Sequence, residues 1–156
     1  MSSYRILNHT ADIGIIVSGK SKKELFAQAA AAMLDLIIAR KSKMVSFPPE
    51  IGGGRAKEIA GDYPQLRTIM TEGNDQEDLL INFLREVLYL FNGERWVTSI
   101  CRPIELTSRR IVAELQGEPY DPQKHQVKTE IKAVTYHGLS ISKTVKGRKA
   151  EVIFDV

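Results

Sequence analysis

Two stretches near opposite ends of this sequence set acidic groups where chemistry could use them. His9-Thr10-Ala11-Asp12-Ile13-Gly14 interrupts an apolar run bounded by Tyr4, Ile6 and Leu7 on one side and Ile15-Ile16-Val17 on the other. Such a run favours extended structure, and an imidazole and a carboxylate set inside it need a partner or water once covered. At the other end, Ala150-Glu151-Val152-Ile153-Phe154-Asp155-Val156 brings the Asp155 side chain beside the α-carboxylate of Val156. Neighbouring anions repel unless a positive charge sits between them. Asp12, Asp155 and the Val156 carboxylate are therefore a candidate set for one cation, and hard oxygen donors suit Ca²⁺ or Mg²⁺ better than a soft metal. On spacing alone the commoner roles rank first: Asp12 bonding backbone amides in a bulge, and Asp155 a solvated end residue.

Two further polar clusters break the pattern, and such breaks are where function is expected. They are Gly117-Glu118-Pro119-Tyr120-Asp121 with His125, and the segment from Lys132 to His137. His9, His125 and His137 have neither cysteine partners nor H-x-x-x-H spacing, which argues against zinc and for hydrogen-bonded structural imidazoles. Lys132 is either the outward residue of a strand or a cation offered to an acidic partner. The single Cys101 lies in an apolar stretch, has no internal disulfide partner and reads as buried and inert. Gly52-Gly53-Gly54 has no helix N-terminus organised behind it for phosphate, so no nucleotide-binding loop is expected.

The elements that must position these groups follow from local pattern. Ser21 and Glu24 have capping-box spacing, and Leu25, Phe26, Ala29, Ala30, Met33, Leu34 and Ile37 form the apolar stripe of a first helix. Leu66 to Thr71 suits a short strand. Asp75 suits the N-cap of a second helix with Leu79, Leu80, Phe83, Leu84, Val87, Leu88 and Phe91 on its buried face and Asn92-Gly93 as a left-handed stop. Strands are expected over 96–101, 104–106, 111–115, 127–132, 139–141 and 151–154, with Gly117, Pro119, Asp121-Pro122 and Lys146-Gly147 among the separating turn residues. The stretch 40–61, with Pro48-Pro49 and three glycines, suits a loop insertion with at most a short helical turn at 56–60. No repeats are apparent. The fold class is α+β: a single-domain layered sandwich, a mostly antiparallel sheet with two main helices packed on one side of it.

At 156 residues the chain suits one domain spanning 1–156, and no apolar run reaches the ~18 residues of a membrane span. The first residues lack the cationic start and apolar core of a secretory signal, so the cytoplasm is expected. The formal charge is only +3, which implies nucleic-acid binding only if the cations cluster in a patch.

Taken in order along the chain, these clusters resemble the archease family: His9 to Gly14, Glu24-Leu25-Phe26 with Ala29-Ala30, Asp78-Leu79-Leu80 through Leu88-Tyr89, Gly117 to Asp121 with His125, Lys132 to His137, and Asp155-Val156. The departure is the 40–61 stretch, longer than is usual in that family. The resemblance implies a small α+β protein that is not an enzyme but a protein cofactor of the RtcB-type RNA-splicing ligase. Such a cofactor promotes guanylylation of the ligase's active-site histidine and restores multiple turnover, as in tRNA splicing. It implies a divalent cation on Asp12, Asp155 and Val156, with nucleic acid met only through the ligase. His9, Glu118, Lys132 and His137 are the candidate partner-binding residues. A chaperone-like modulator of tRNA-processing or tRNA-modifying enzymes, and a metal-dependent hydrolase using His9 or His137 as base, are the alternatives.

Overall fold

The computed structural model describes residues 4–9, 12–39 and 65–156, with Asn8 and His9 described by backbone alone. The expected insertion at 40–61, with its helical turn, lies outside these residues. In order come β1 (Tyr4–His9), β2 (Asp12–Gly19), α1 (Lys22–Ile37), β3 (Ile38–Ala39), β4 (Gln65–Glu72), α2 (Gln76–Asn92), β5 (Trp96–Leu106), β6 (Arg110–Pro119), β7 (Gln126–Val127), β8 (Ala133–Thr144) and β9 (Gly147–Asp155).

The class is α+β with antiparallel sheets, as expected, but the layering differs. The strands divide into two main sheets, ordered β1-β2-β9-β8 and β4-β6-β5, with a short β3-β7 pair. α1 packs on β2 and β9 of one sheet and on β5 of the other, and α2 on β8 and on β4, β5 and β6. The helices thus lie between the sheets instead of covering one side. Burial explains why: every residue from Leu25 to Leu34 is buried, and a helix with no exposed stripe must be covered from both sides. α2 keeps the expected stripe from Leu79 to Phe91, with Arg85 and Tyr89 exposed.

Both helices start in the same way. The Ser21 hydroxyl accepts from Glu24 N–H at 3.1 Å, and Glu24 Oε1 accepts from Lys20 N–H at 2.7 Å. Asp75 Oδ1 accepts from Asp78 N–H at 2.8 Å, and Asp78 Oδ2 accepts from Asn74 N–H at 2.8 Å. Each is a capping box whose returning carboxylate reaches one residue beyond the cap. Two residues before each cap, Gly19 and Gly73 lie so close to the helix that a Cβ would stand 2.5 Å from Leu25 N and Leu79 N. Asp75→Ala removes one cap bond from an exposed helix start, and stability should fall by about 1 kcal/mol, read as a lower urea midpoint at unchanged slope.

Four local expectations are corrected. Gly93 is right-handed, and the left-handed residue is Arg95 (φ 53°), held by its N–H to the Phe91 carbonyl at 3.0 Å and by its carbonyl, which accepts Tyr120 N–H at 2.7 Å. The strands expected at 96–101 and 104–106 are one strand, β5, that absorbs Pro103 through a register shift between Pro103 and Glu105; as a sheet edge, β5 tolerates the missing donor. Gly117 and Pro119 lie inside β6 rather than in a turn; a Cβ on Gly117 would stand 2.3 Å from the Val97 carbonyl and 2.7 Å from the Trp96 ring, so only glycine fits there. The strand expected at 127–132 shrinks to Gln126–Val127, since Ile131 turns into the core and its carbonyl is bound by Asn92 Nδ2 at 3.0 Å. No helix among the described residues is long and apolar enough to cross a membrane.

Candidate functional site

The strand order puts β9 beside β2, and their register makes Asp12 and Asp155 direct cross-strand partners. Directly opposed residues project from the same face of a sheet. The Asp155 carbonyl is turned toward β8, where it accepts Lys132 N–H at 2.7 Å. Backbone N–H and C=O of one residue point to the same side of a strand, so Asp155 does not exchange backbone bonds with Asp12. The two form the narrow kind of pair, with Cα atoms about 4.5 Å apart and side chains at their closest. Like charges placed so are unfavourable, and among the described residues neither carboxylate has an ion-pair partner.

Several of the other candidates gather at the same end of the sheet. Val156 follows Asp155, its side chain packed against the core. His9 is the backbone partner of Asp12 on β1. Lys132 is exposed and sits just before β8, outside any strand, tied to Asp155 by its own N–H. Among the described residues no three His, Cys, Asp or Glu side chains cluster.

His137 lies apart, on a bulge. Between the pairs Thr135↔Ile153 and Ser140↔Glu151, the residues Tyr136 to Leu139 stand opposite Val152 alone, which pushes that stretch of β8 out of the ladder. His137 is exposed there, while its neighbour Tyr136 turns to α2. The Tyr136 hydroxyl donates to Asp78 Oδ1 at 2.5 Å, and the Arg85 guanidinium lies 5.0 Å from the Tyr136 ring. That phenol bond, followed by the one from Asn74 N–H, holds the Asp78 carboxyl below its usual range. The same bond pushes the Tyr136 hydroxyl above its usual value. Arg85 also donates to the Val134 carbonyl at 3.3 and 3.4 Å, and Glu77 Oε2 accepts Ile141 N–H at 3.2 Å. The bulge is thereby clasped to the first turns of α2.

Glu118 is engaged within the protein. Asp121 N–H donates to His125 Nδ1 at 3.0 Å, so the imidazole carries its proton on Nε2, which donates to Glu118 Oε2 at 2.9 Å. His125 is only 4% exposed and stacks on Tyr120 at 5.9 Å between centroids. It is the structural imidazole anticipated, and it closes the turn after β6.

One pattern escapes the sequence reading: Gly14-Ile15-Ile16-Val17-Ser18-Gly19-Lys20-Ser21 spells the letters of a phosphate-binding P-loop. Its first six residues lie in β2, paired with β9, and Ser21 caps α1, so no loop exists to cradle a phosphate. Cys101 is fully buried, and burial pushes its thiol up to about 12, which fits an inert residue.

The fold is a two-sheet α+β one with its first long strand paired to its last. Residues 4–156 match the Archease protein family, and the chain belongs to it. It is 38% identical over 157 residues to protein archease of Methanosarcina barkeri, covering 98% of this chain and 95% of the relative. It is 34% identical to protein archease of Pyrococcus abyssi over the whole of both chains, and 33% identical to the archease-like protein of Drosophila melanogaster over 96% of this chain and 86% of that one. The solution structure of Methanobacterium thermoautotrophicum protein 1598 matches all of both chains with a TM-score of 0.68 at 22% identity, a likeness of fold.

Proposed function

We propose that this protein is a non-catalytic cofactor of an RtcB-type RNA-splicing ligase, promoting guanylylation and multiple turnover of the ligase through a divalent cation held by Asp12, Asp155 and the Val156 carboxylate. The observation that carries the reading is the direct opposition of Asp12 and Asp155 on β2 and β9, in a chain of the Archease family. Two facing carboxylates with a third on the adjoining residue are a hard, strongly anionic donor set that fits Ca²⁺ or Mg²⁺. When bound, the cation presents a positive point to phosphate oxygens at the partner's nucleotide pocket. The protein's own part is to hold the donors on a rigid sheet end. Lys132 and His9, at that end, are the contacts first met by the ligase in this reading, with His137 and Glu118 as outlying contacts. The site of action is the cytoplasm.

The experiment compares a C-terminal with an N-terminal tag. Extending the chain beyond Val156 converts its carboxylate into a neutral carbonyl, and lower ligand charge weakens calcium sites. Calorimetric Ca²⁺ affinity should fall by about tenfold, and stimulation of ligase guanylylation should fall with it. Equal affinity and stimulation for the two tagged proteins remove Val156 from the donor set. If the N-terminally tagged protein fails to stimulate the ligase at all, the reading is wrong.

A further inference from the structure

At the far end of the same sheet the charge reverses. β9 begins where β2 ends, with Gly19 opposite Arg148 and Ser18 opposite Lys149, and a Cβ on Gly147 would stand 2.3 Å from the Gly19 carbonyl. This contact joins the turn at 18–24 to the hairpin at 141–151. Together they hold seven of the chain's 22 Lys and Arg (Lys20, Lys22, Lys23, Lys143, Lys146, Arg148, Lys149) but only two of its 19 Asp and Glu, an excess of five in a chain whose net charge is +3. The mild overall charge hides a basic end, about 23 Å from Asp12 along β2 at the usual rise per residue.

Lys143 and Arg148 are direct cross-strand partners, an unfavourable like-charge pair that an anion between them would relieve. With Lys22 they line one open cleft of about 450 Å³. The cleft's two carboxylates, Asp75 and Glu77, accept Asp78 N–H and Ile141 N–H and keep their charge, so the cations outnumber the anions there by one. Among the described residues none of the seven cations has an ion-pair partner, and one of them, Lys23, donates its Nζ to the Ile104 carbonyl at 2.9 Å.

We propose that this basic end binds the phosphate backbone of RNA. Six of the seven cations are lysines, and neither segment contains an aromatic residue. Protein interfaces are depleted in lysine and anchored by aromatics, and membrane-surface segments bring several apolar anchors, whereas Val145 is the single fully exposed large apolar residue here. Lysines acting as point charges suit phosphates read without regard to sequence. The choice of RNA rests on the ligase reading; binding to phosphate does not.

The test needs no ligase, so its failure and that of the ligase reading are separable. Anisotropy of a labelled single-stranded RNA of about 20 nucleotides is titrated with the whole protein between about 50 and 200 mM salt. Wild type should bind, with log affinity falling against log salt at a slope near −3, as for about four phosphates. Lys143→Glu with Lys149→Glu should cost at least about tenfold in affinity and make the slope shallower by about 1.4. That variant should fold at least as well as wild type, because it sets a carboxylate opposite Arg148; the single change Lys149→Ala, at an exposed site, provides the same comparison with a smaller loss. No RNA binding by wild type at the lowest salt overturns the proposal, as does unchanged affinity in both variants. Binding to phosphatidylserine vesicles or polyglutamate in preference to RNA also overturns it.

Discussion

Asp12→Asn should make the protein slightly more heat-stable in chelator and, at the same time, insensitive to Ca²⁺ and unable to stimulate the ligase. The first effect follows from geometry alone. Asp12 and Asp155 face each other across β2 and β9, and removing one of two opposed like charges relieves about 0.2–1 kcal/mol, worth about 1–3 °C in a chain of this size. The second follows from the cation reading. A ligand at about a hundred times its dissociation constant stabilises the folded state by about 2.7 kcal/mol, so wild type should gain about 5–10 °C on Ca²⁺ addition and the variant very little. Asp12 is only partly buried, so the substitution leaves no core cavity. Melts with and without Ca²⁺, run beside a guanylylation assay, decide the matter. A full Ca²⁺ shift in the variant would exclude Asp12 as a ligand, and wild-type stimulation would separate ligase activation from the metal.

The largest loss of stability should come from Phe83→Ala. Phe83 is wholly buried and meets Phe26 with ring centroids 5.8 Å apart and planes tilted by 39°, the aromatic contact that joins α2 to α1 between the sheets. Truncation removes the buried ring and leaves a void that two flanking sheets hold open, at a cost of about 3–5 kcal/mol. The lost aromatic pair is part of that figure. Against a total of about 5–15 kcal/mol, the variant would approach the edge of folding, with a melting point lower by about 10 °C or more. Leu66→Ala, at a residue 61% exposed on β4, should shift stability by less than about 0.5 kcal/mol. A loss under about 1.5 kcal/mol at Phe83 would mean that the helix layer collapses onto the gap.

What was legible in the sequence is what is local. The stripe from Leu79 to Phe91 and the caps Ser21 and Asp75 stand where the spacing put them, because periodicity and capping involve residues a few positions apart. The start G-x-S/D-x-x-E/D-L, used at Gly19 and again at Gly73, passes unnoticed because seven positions are too few to register as a repeat. The division into two sheets was not legible: nothing local in β9 says that it lies between β2 and β8. The bulge at Tyr136 was hidden for a similar reason, since it depends on Asp78 and Arg85, on another element altogether. Val127 to Ile131 is rich in strand formers and puts Lys132 in a strand by pattern, whereas the Asn92 amide that ends the strand early is 39 residues from its acceptor. The meeting of Asp12 with Asp155 could be guessed from two unpaired carboxylates, but their register is a long-range fact. Glu118 and His125 were both singled out; that each occupies the other becomes visible only once the turn at Asp121 is closed.

The central place of β9 gives the sheet a direction in time. A chain emerging from its N-terminus completes β1, β2 and both helices long before β9 exists, so the sheet waits without its middle strand while β2 and β8 hold unsatisfied edges. Such late, long-range pairing is slow and leaves edges open to wrong partners. It also means that the opposed carboxylates face each other only once β9 has joined β2, because one half of the pair lies on each strand. A chain that stopped before β9 would keep Asp12 and both helices yet never set the two carboxylates opposite each other.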